Sequence, residues 1–120
     1  MSKWKIEYYT TRSDHCPAEE FLDSLTNEEF ARLNSKILLL QELGINLRRP
    51  HVGFLRDKIY ELRARDRKKQ LRILYFFFDG NKIIFSHGIV KKLERVPDAE
   101  IARAIMHYED YIKQQKEKKR

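Results

Sequence analysis

Residues 59–80, IYELRARDRKKQLRILYFFFDG, decide the fold. In KIYELRAR the side chains alternate. Tyr60 and Leu62 go to one face, and Ile59, Glu61 and Arg63 to the other, which is the two-residue period of a strand. The segment DRKK, residues 66–69, is a short turn. QLRILYFFF, residues 70–78, is apolar almost throughout and predicts a central strand buried on much of both faces. Asp79-Gly80, followed by Asn81, is a hairpin turn signal, and KIIFSHGIV, residues 82–90, is the next strand. Together these segments predict an antiparallel meander. The meander also carries Arg63, Arg65, Arg67, Lys68, Lys69 and Arg72, charge that a sheet does not need in order to bury Ile, Leu, Tyr and Phe.

Working outward, WKIEYY (residues 4–9) alternates apolar and polar side chains and predicts a further strand. CPAEEFLDSL then turns into a helix. Pro17 suits the first helical position, Glu19 and Glu20 suit the positive end of the helix dipole, and Phe21, Leu22 and Leu25 give an apolar face. A second helix follows at once. Thr26 and Glu29 have capping-box spacing, Phe30, Leu33, Ile37 and Leu40 recur at helical spacing, and Gly44 is a natural stop. Two helices with almost no linker predict a helical hairpin whose apolar stripes need a sheet to cover. INLRRPHVGFLRD reads as a loop leading into an extended segment. At the other end PDAEIARAIMHYEDYIK predicts a helix with Ile101, Ile105, Tyr108 and Ile112 as its stripe. Asp98 and Glu100 lie at its start, and a basic tail from about residue 114 is expected to fray. The expected fold is α+β, in the order β-α-α-β-β-β-α, with a small twisted, mainly antiparallel sheet packed against helices in one domain over residues 1–120.

The chain has 120 residues, 42% of them apolar, with a formal net charge of +7 and a pI near 9.6. That is enough for one core, and a basic balance fits either polyanion binding or a merely solubilising surface. The single cysteine, Cys16, excludes an internal disulfide and fits a reducing compartment. It precedes Pro17 at a helix start and reads as structural. No stretch has signal-peptide character, and no run approaches the roughly 20 apolar residues of a membrane span. The expected location is the cytoplasm, with no membrane partner.

Arg72 is the most informative residue, because it stands among side chains that want burial, where an unpaired charge is expensive. Two partners are open to it: an internal carboxylate, for which Glu61 on the adjacent strand is the candidate, or an anion bound on an exposed face by the planar guanidinium. Arg63 ends the preceding strand, and a tight meander would place it near Arg72. Arg65, Arg67, Lys68 and Lys69 extend the positive field or form a solvated turn. His87 is either a proton donor or acceptor or a hydrogen-bonded structural histidine, and Lys91 and Lys92 follow it at the strand end. The histidines at 15, 51, 87 and 107 lack metal-ligand spacing, no glycine-rich phosphate loop exists, and no G-x-S-x-G elbow occurs.

LRDKIYELR, then LRILYFF, then HGIVKK, then PDAEIARA resembles, in this order and spacing, the phage-derived, HigB-like branch of the RelE/ParE toxin superfamily. The resemblance runs from about residue 4 to residue 112. The helical opening CPAEEFLDSL fits it too, and Val96 departs from it where Thr or Ser often caps the last helix. The resemblance implies a RelE-like fold and a toxin of a type II toxin–antitoxin module. It implies an endoribonuclease that cuts mRNA on the ribosome, and a cognate antitoxin, often a helix-turn-helix protein. Metal-free cleavage by the RNA's own 2′-hydroxyl needs no cofactor. On this reading Arg63 and Arg72 hold the scissile phosphate. Lys91 and Lys92 contact phosphate or assist the leaving oxygen, and His87 is the acid or base. Arg65, Arg67, Lys68 and Lys69 bind RNA and steer the chain toward the ribosome. The alternatives are a ParE-like DNA gyrase inhibitor and a non-catalytic module that binds RNA or an antitoxin.

Overall fold

The computed structural model describes residues 4–92 and 95–119. Strand β1 (Lys5–Tyr8) leads into helices α1 (Pro17–Asp23) and α2 (Asn27–Leu43) and a 3-10 turn at Gly44–Asn46. Four strands follow, β2 (Val52–Arg56), β3 (Ile59–Asp66), β4 (Lys69–Phe78) and β5 (Lys82–Lys91), and then helix α3 (Asp98–Lys118). The five strands form one sheet in the order β1-β5-β4-β3-β2. Only the β1–β5 pair is parallel. The fold is α+β, with three helices on a mostly antiparallel sheet.

The expected meander is present with β4 in the middle, but it has one strand more than expected. The extended segment before Ile59 is β2, an edge strand, so four strands rather than three follow the helices. Its hairpin uses Asp57 (φ 50°) and Lys58 (φ 73°), both left-handed as a two-residue turn of this kind requires. That turn lacks the Asn-Gly or Asp-Gly signature and was not legible in the sequence.

β4 sorts its side chains between two cores. Leu71, Ile73 and Tyr75 pack under α1 and α2 with Leu62, Leu33, Leu40 and Ala18. Leu74 and Phe76 pack under α3 with Ile59, Ile84, Ile101 and Tyr111. The expected helical hairpin is spread over the sheet instead, with α1 over β5 and α2 over β3. The capping box forms as expected: Glu29 N donates to Thr26 Oγ1 at 3.1 Å, and Thr26 N donates to Glu29 Oε1 at 2.9 Å. It turns Glu29 inward, and Phe30, expected on the buried stripe, is exposed. At the start of α3 no side chain caps the helix, and Val96 is buried in the core beneath it. The expected frayed tail is helical to Lys118. Gln114 donates to Thr10 O, and Arg12 pairs with Glu117 at 2.9 Å. Among the described residues no helix is long and apolar enough to cross a membrane.

Candidate functional site

Strand register places Arg63 directly opposite Arg72, so both side chains share the face that carries Leu74 and α3. Helix α3 covers one end of that face. The other end, beyond the point where β2 stops, opens as a cavity of about 300 Å³ lined by Lys36, Pro50, Arg63, Arg65, Gln70 and Arg72. It joins three cations singled out in the sequence, Arg63, Arg65 and Arg72, to one cation that was not, Lys36 of α2.

Glu61 organises this cluster. One carboxylate oxygen accepts from Arg72 Nε at 2.9 Å, and the other accepts from Arg63 Nη2 at 3.0 Å. Arg72 also donates from Nη1 to Leu71 O at 3.0 Å and from Nη2 to Gln70 Oε1 at 2.6 Å. Arg72 is 6% exposed and Glu61 5%. Burial pulls the Arg72 pKa down while Glu61 acts against this, and a guanidinium stays charged throughout the accessible pH range. The partner of Arg72 is thus the internal carboxylate. Arg63 is the more open of the two. Its guanidinium lies over Gly53, where any Cβ would collide with it. Glycine at 53 therefore makes room for the cation.

A histidine that the sequence reading set aside belongs beside this cluster. His51 precedes β2, and its carbonyl accepts from Arg63 N at 2.8 Å. Its Nδ1 lies 2.7 Å from Lys36 Nζ. A lysine ammonium can only donate, so Nδ1 accepts and the ring proton of the neutral form sits on Nε2. Lys36 and His51 were missed because they lie on α2 and in a loop. The one available signal was Lys36 flanking the Leu33–Ile37–Leu40 stripe.

The remaining expected residues do not line this cavity. Lys69 pairs with Glu29 at 2.9 Å, which fastens the β3–β4 turn to the start of α2. Arg67 and Lys68 are exposed at the turn tip, and Arg65 Nε also donates to Arg67 O at 2.9 Å. Lys91 stands opposite Gln70 and is buried, and Lys92 follows it, exposed.

His87 sits beneath α3, 1% exposed. An irregularity in the β4–β5 ladder leaves Ser86 as an extra residue, and Ser86 and His87 both reach α3. His87 Nε2 lies 3.1 Å from Glu100 Oε1, and Ser86 Oγ lies 2.8 Å from His87 Nδ1 and 2.7 Å from His107 Nδ1. Burial pushes both imidazoles down to about 4, with Arg103 opposing their charge. In the neutral state Glu100 accepts from His87 Nε2, the Ser86 hydroxyl donates to His87 Nδ1, and His107 Nδ1–H donates to Ser86. The Glu–His–Ser sequence superficially resembles a nucleophile triad. Ser86 is fully buried, however, so no substrate reaches it, and the network ties α3 to β5.

Among the described residues no group of His, Cys, Asp and Glu is arranged to hold a metal ion. No curated protein matches the chain. A family profile described as "Phage derived protein Gp49-like (DUF891)" matches residues 20–109, from α1 to α3. The chain belongs to this phage-derived Gp49-like family, a toxin-like family related to RelE.

Proposed function

We propose that the protein is the toxin of a type II toxin–antitoxin module, of the HigB-like branch. It acts in the cytoplasm as a metal-independent endoribonuclease that cuts mRNA on the ribosome, and a cognate antitoxin restrains it. The observation that carries this reading is the open cavity in which Lys36, Arg63 and Arg65 converge on the buried Arg72–Glu61 pair, within a toxin-like family.

The chemistry asks little of such a site. The RNA 2′-hydroxyl gives its proton to solvent as its oxygen bonds to the adjacent phosphorus, the bond from phosphorus to the 5′-oxygen breaks, and the 5′-oxygen takes up a proton, leaving a 2′,3′-cyclic phosphate. The protein must hold the reacting atoms in line, stabilise charge on the phosphorane and move protons. Arg63, only partly buried and oriented by Glu61, holds the scissile phosphate. Arg72 is the positioning residue behind it, because it is buried and fixes Glu61, which in turn orients Arg63. Arg65 and Lys36 add positive potential. The Lys36 ammonium, held by His51 Nδ1 at 2.7 Å, faces the cavity and gives a proton to the leaving oxygen. The buried His87 serves structure. Arg67, Lys68 and Lys92 contribute long-range attraction to RNA.

The test is to induce the chain in a bacterial host and map new RNA 5′ ends, beside an Arg63→Ala control of equal abundance. Losing one charge-stabilising contact is expected to lower the cleavage rate roughly 10²- to 10³-fold. New ends inside translated frames that vanish in the control support the reading. Growth arrest without new ends refutes it in favour of gyrase inhibition.

A further inference from the structure

A second cavity lies on the opposite face of the sheet, where α1 and α2 leave the β2–β3 end uncovered. It measures about 490 Å³, and its walls include Leu47, Phe54, Tyr60 and Phe77, with Arg48 and Arg49 on its rim. Aromatic rings dominate it. Phe54 is 56% exposed, and its ring meets Tyr60 edge to face at 5.1 Å. Tyr60 in turn meets Phe77 at 5.3 Å, and Trp4 meets Phe77 at 5.4 Å. Single surface hydrophobics need no explanation, but a row of rings on an uncovered sheet face does.

The rim narrows the choice of occupant. Arg48 and Arg49 are exposed, and among the described residues neither pairs with a carboxylate, so the occupant is apolar or aromatic in its body and negative at its edge. The same short segment, residues 48–51, walls both cavities: Arg48 and Arg49 rim the aromatic groove, and Pro50 lines the basic pocket. A chain that alternates flat rings with phosphates can therefore enter the groove and cross the Arg48–Arg49 rim to reach Arg63. Single-stranded nucleic acid has that form, and aromatic side chains on a sheet face are a sequence-tolerant platform for unstacked bases.

We infer that the groove between Phe54, Tyr60 and Arg48 is a base-stacking subsite for single-stranded RNA whose phosphates continue onto Arg63. The inference rests on the RNA-cleaving reading above and gives its substrate a path. The base lies against the exposed Phe54 ring, the two rim arginines neutralise the flanking phosphates, and the subsite reads the presence of a base rather than its identity.

The experiment compares two uncleavable 2′-O-methyl RNA hexamers on the full-length protein, one with bases and one abasic, by fluorescence anisotropy. The wild type should prefer the base-bearing strand by about tenfold, the contribution of one stacked base. A 2-aminopurine in that strand should lose fluorescence on binding. In Phe54→Ala the preference should fall toward unity, and in Phe54→Trp it should persist. In Arg63→Ala both strands should weaken while the preference remains. Equal wild-type affinity for the two strands, still dependent on Arg63, overturns the base subsite and leaves the phosphate reading standing. A preference untouched by Phe54→Ala overturns the placement in this groove, as does an acidic peptide that binds there in a Phe54-dependent way without displacing RNA. If neither strand binds, both readings fall.

Discussion

Acidifying the protein should unfold it through two histidines. His87 and His107 meet across the Ser86 hydroxyl, and each is pushed from 6.5 to about 4, first by burial and then by neighbouring positive charge. As pH falls below 6.5 the unfolded chain takes up protons that the folded chain refuses. Stability is therefore complete above pH 6.5 and declines down to about pH 4, below which the folded form also binds protons. Each histidine gives a slope of about 1.4 kcal/mol per pH unit. For the almost fully buried His87 the loss by pH 4 is about 3 kcal/mol. The more open His107 adds less. Urea denaturation of the full chain at pH 7, 6, 5 and 4.5 measures the loss. His87→Gln/His107→Gln, which keeps hydrogen-bonding capacity without titration, supplies the control: its curve should flatten in this window even if its starting stability is lower. Asp110 acts in a different window. The Tyr9 hydroxyl holds its carboxylate near 2, so its contribution is present above 3.8 and is lost only as pH falls through 2. Equal slopes in wild type and double variant between pH 6.5 and 4.5 would refute the assignment of these histidines as neutral structural groups, and would return His87 to the candidates for proton transfer.

Three further outcomes follow from the packing. Glu61→Gln removes the anion shared by Arg63 and Arg72 and should destabilise the protein by about 3–5 kcal/mol in urea, because it leaves the buried Arg72 unpaired. A loss below 1 kcal/mol would mean that the pair is not formed. Gly88→Ala drives a methyl group into the Phe21 ring where α1 crosses β5 and should cost about 1–3 kcal/mol, read as a lowered thermal midpoint. For single-stranded RNA, Arg63→Ala and Arg65→Ala should each reduce the slope of log affinity against log salt by about 0.7. An unchanged slope would place that side chain outside the phosphate path.

The sequence alone determined the elements that local chemistry dictates. The two-residue alternation of KIYELRAR, the apolar run QLRILYFFF and the Asp79-Gly80 turn specify the meander, because burial of one or both strand faces leaves little choice of period. Thr26 and Glu29 specify the start of α2 because their partners lie three residues away. The same stretch named Arg63 and Arg72 and offered Glu61 as a partner, since charge inside an apolar strand must be answered nearby. What the sequence left open is what distant segments decide. Whether Arg72 faces solvent or Glu61 depends on the β3–β4 register and on burial of that face. His87 is closed off by α3, which lies beyond β5 in the chain. Lys36 reaches the basic cavity, and His51 meets Lys36, only because α2 packs over β3 and the loop before β2 folds beside it. Local patterning fixes what each segment becomes, because its hydrogen bonds and period are internal to it. Which cations remain open to a phosphate is set by contacts between segments far apart in sequence, and only the tertiary structure supplies those.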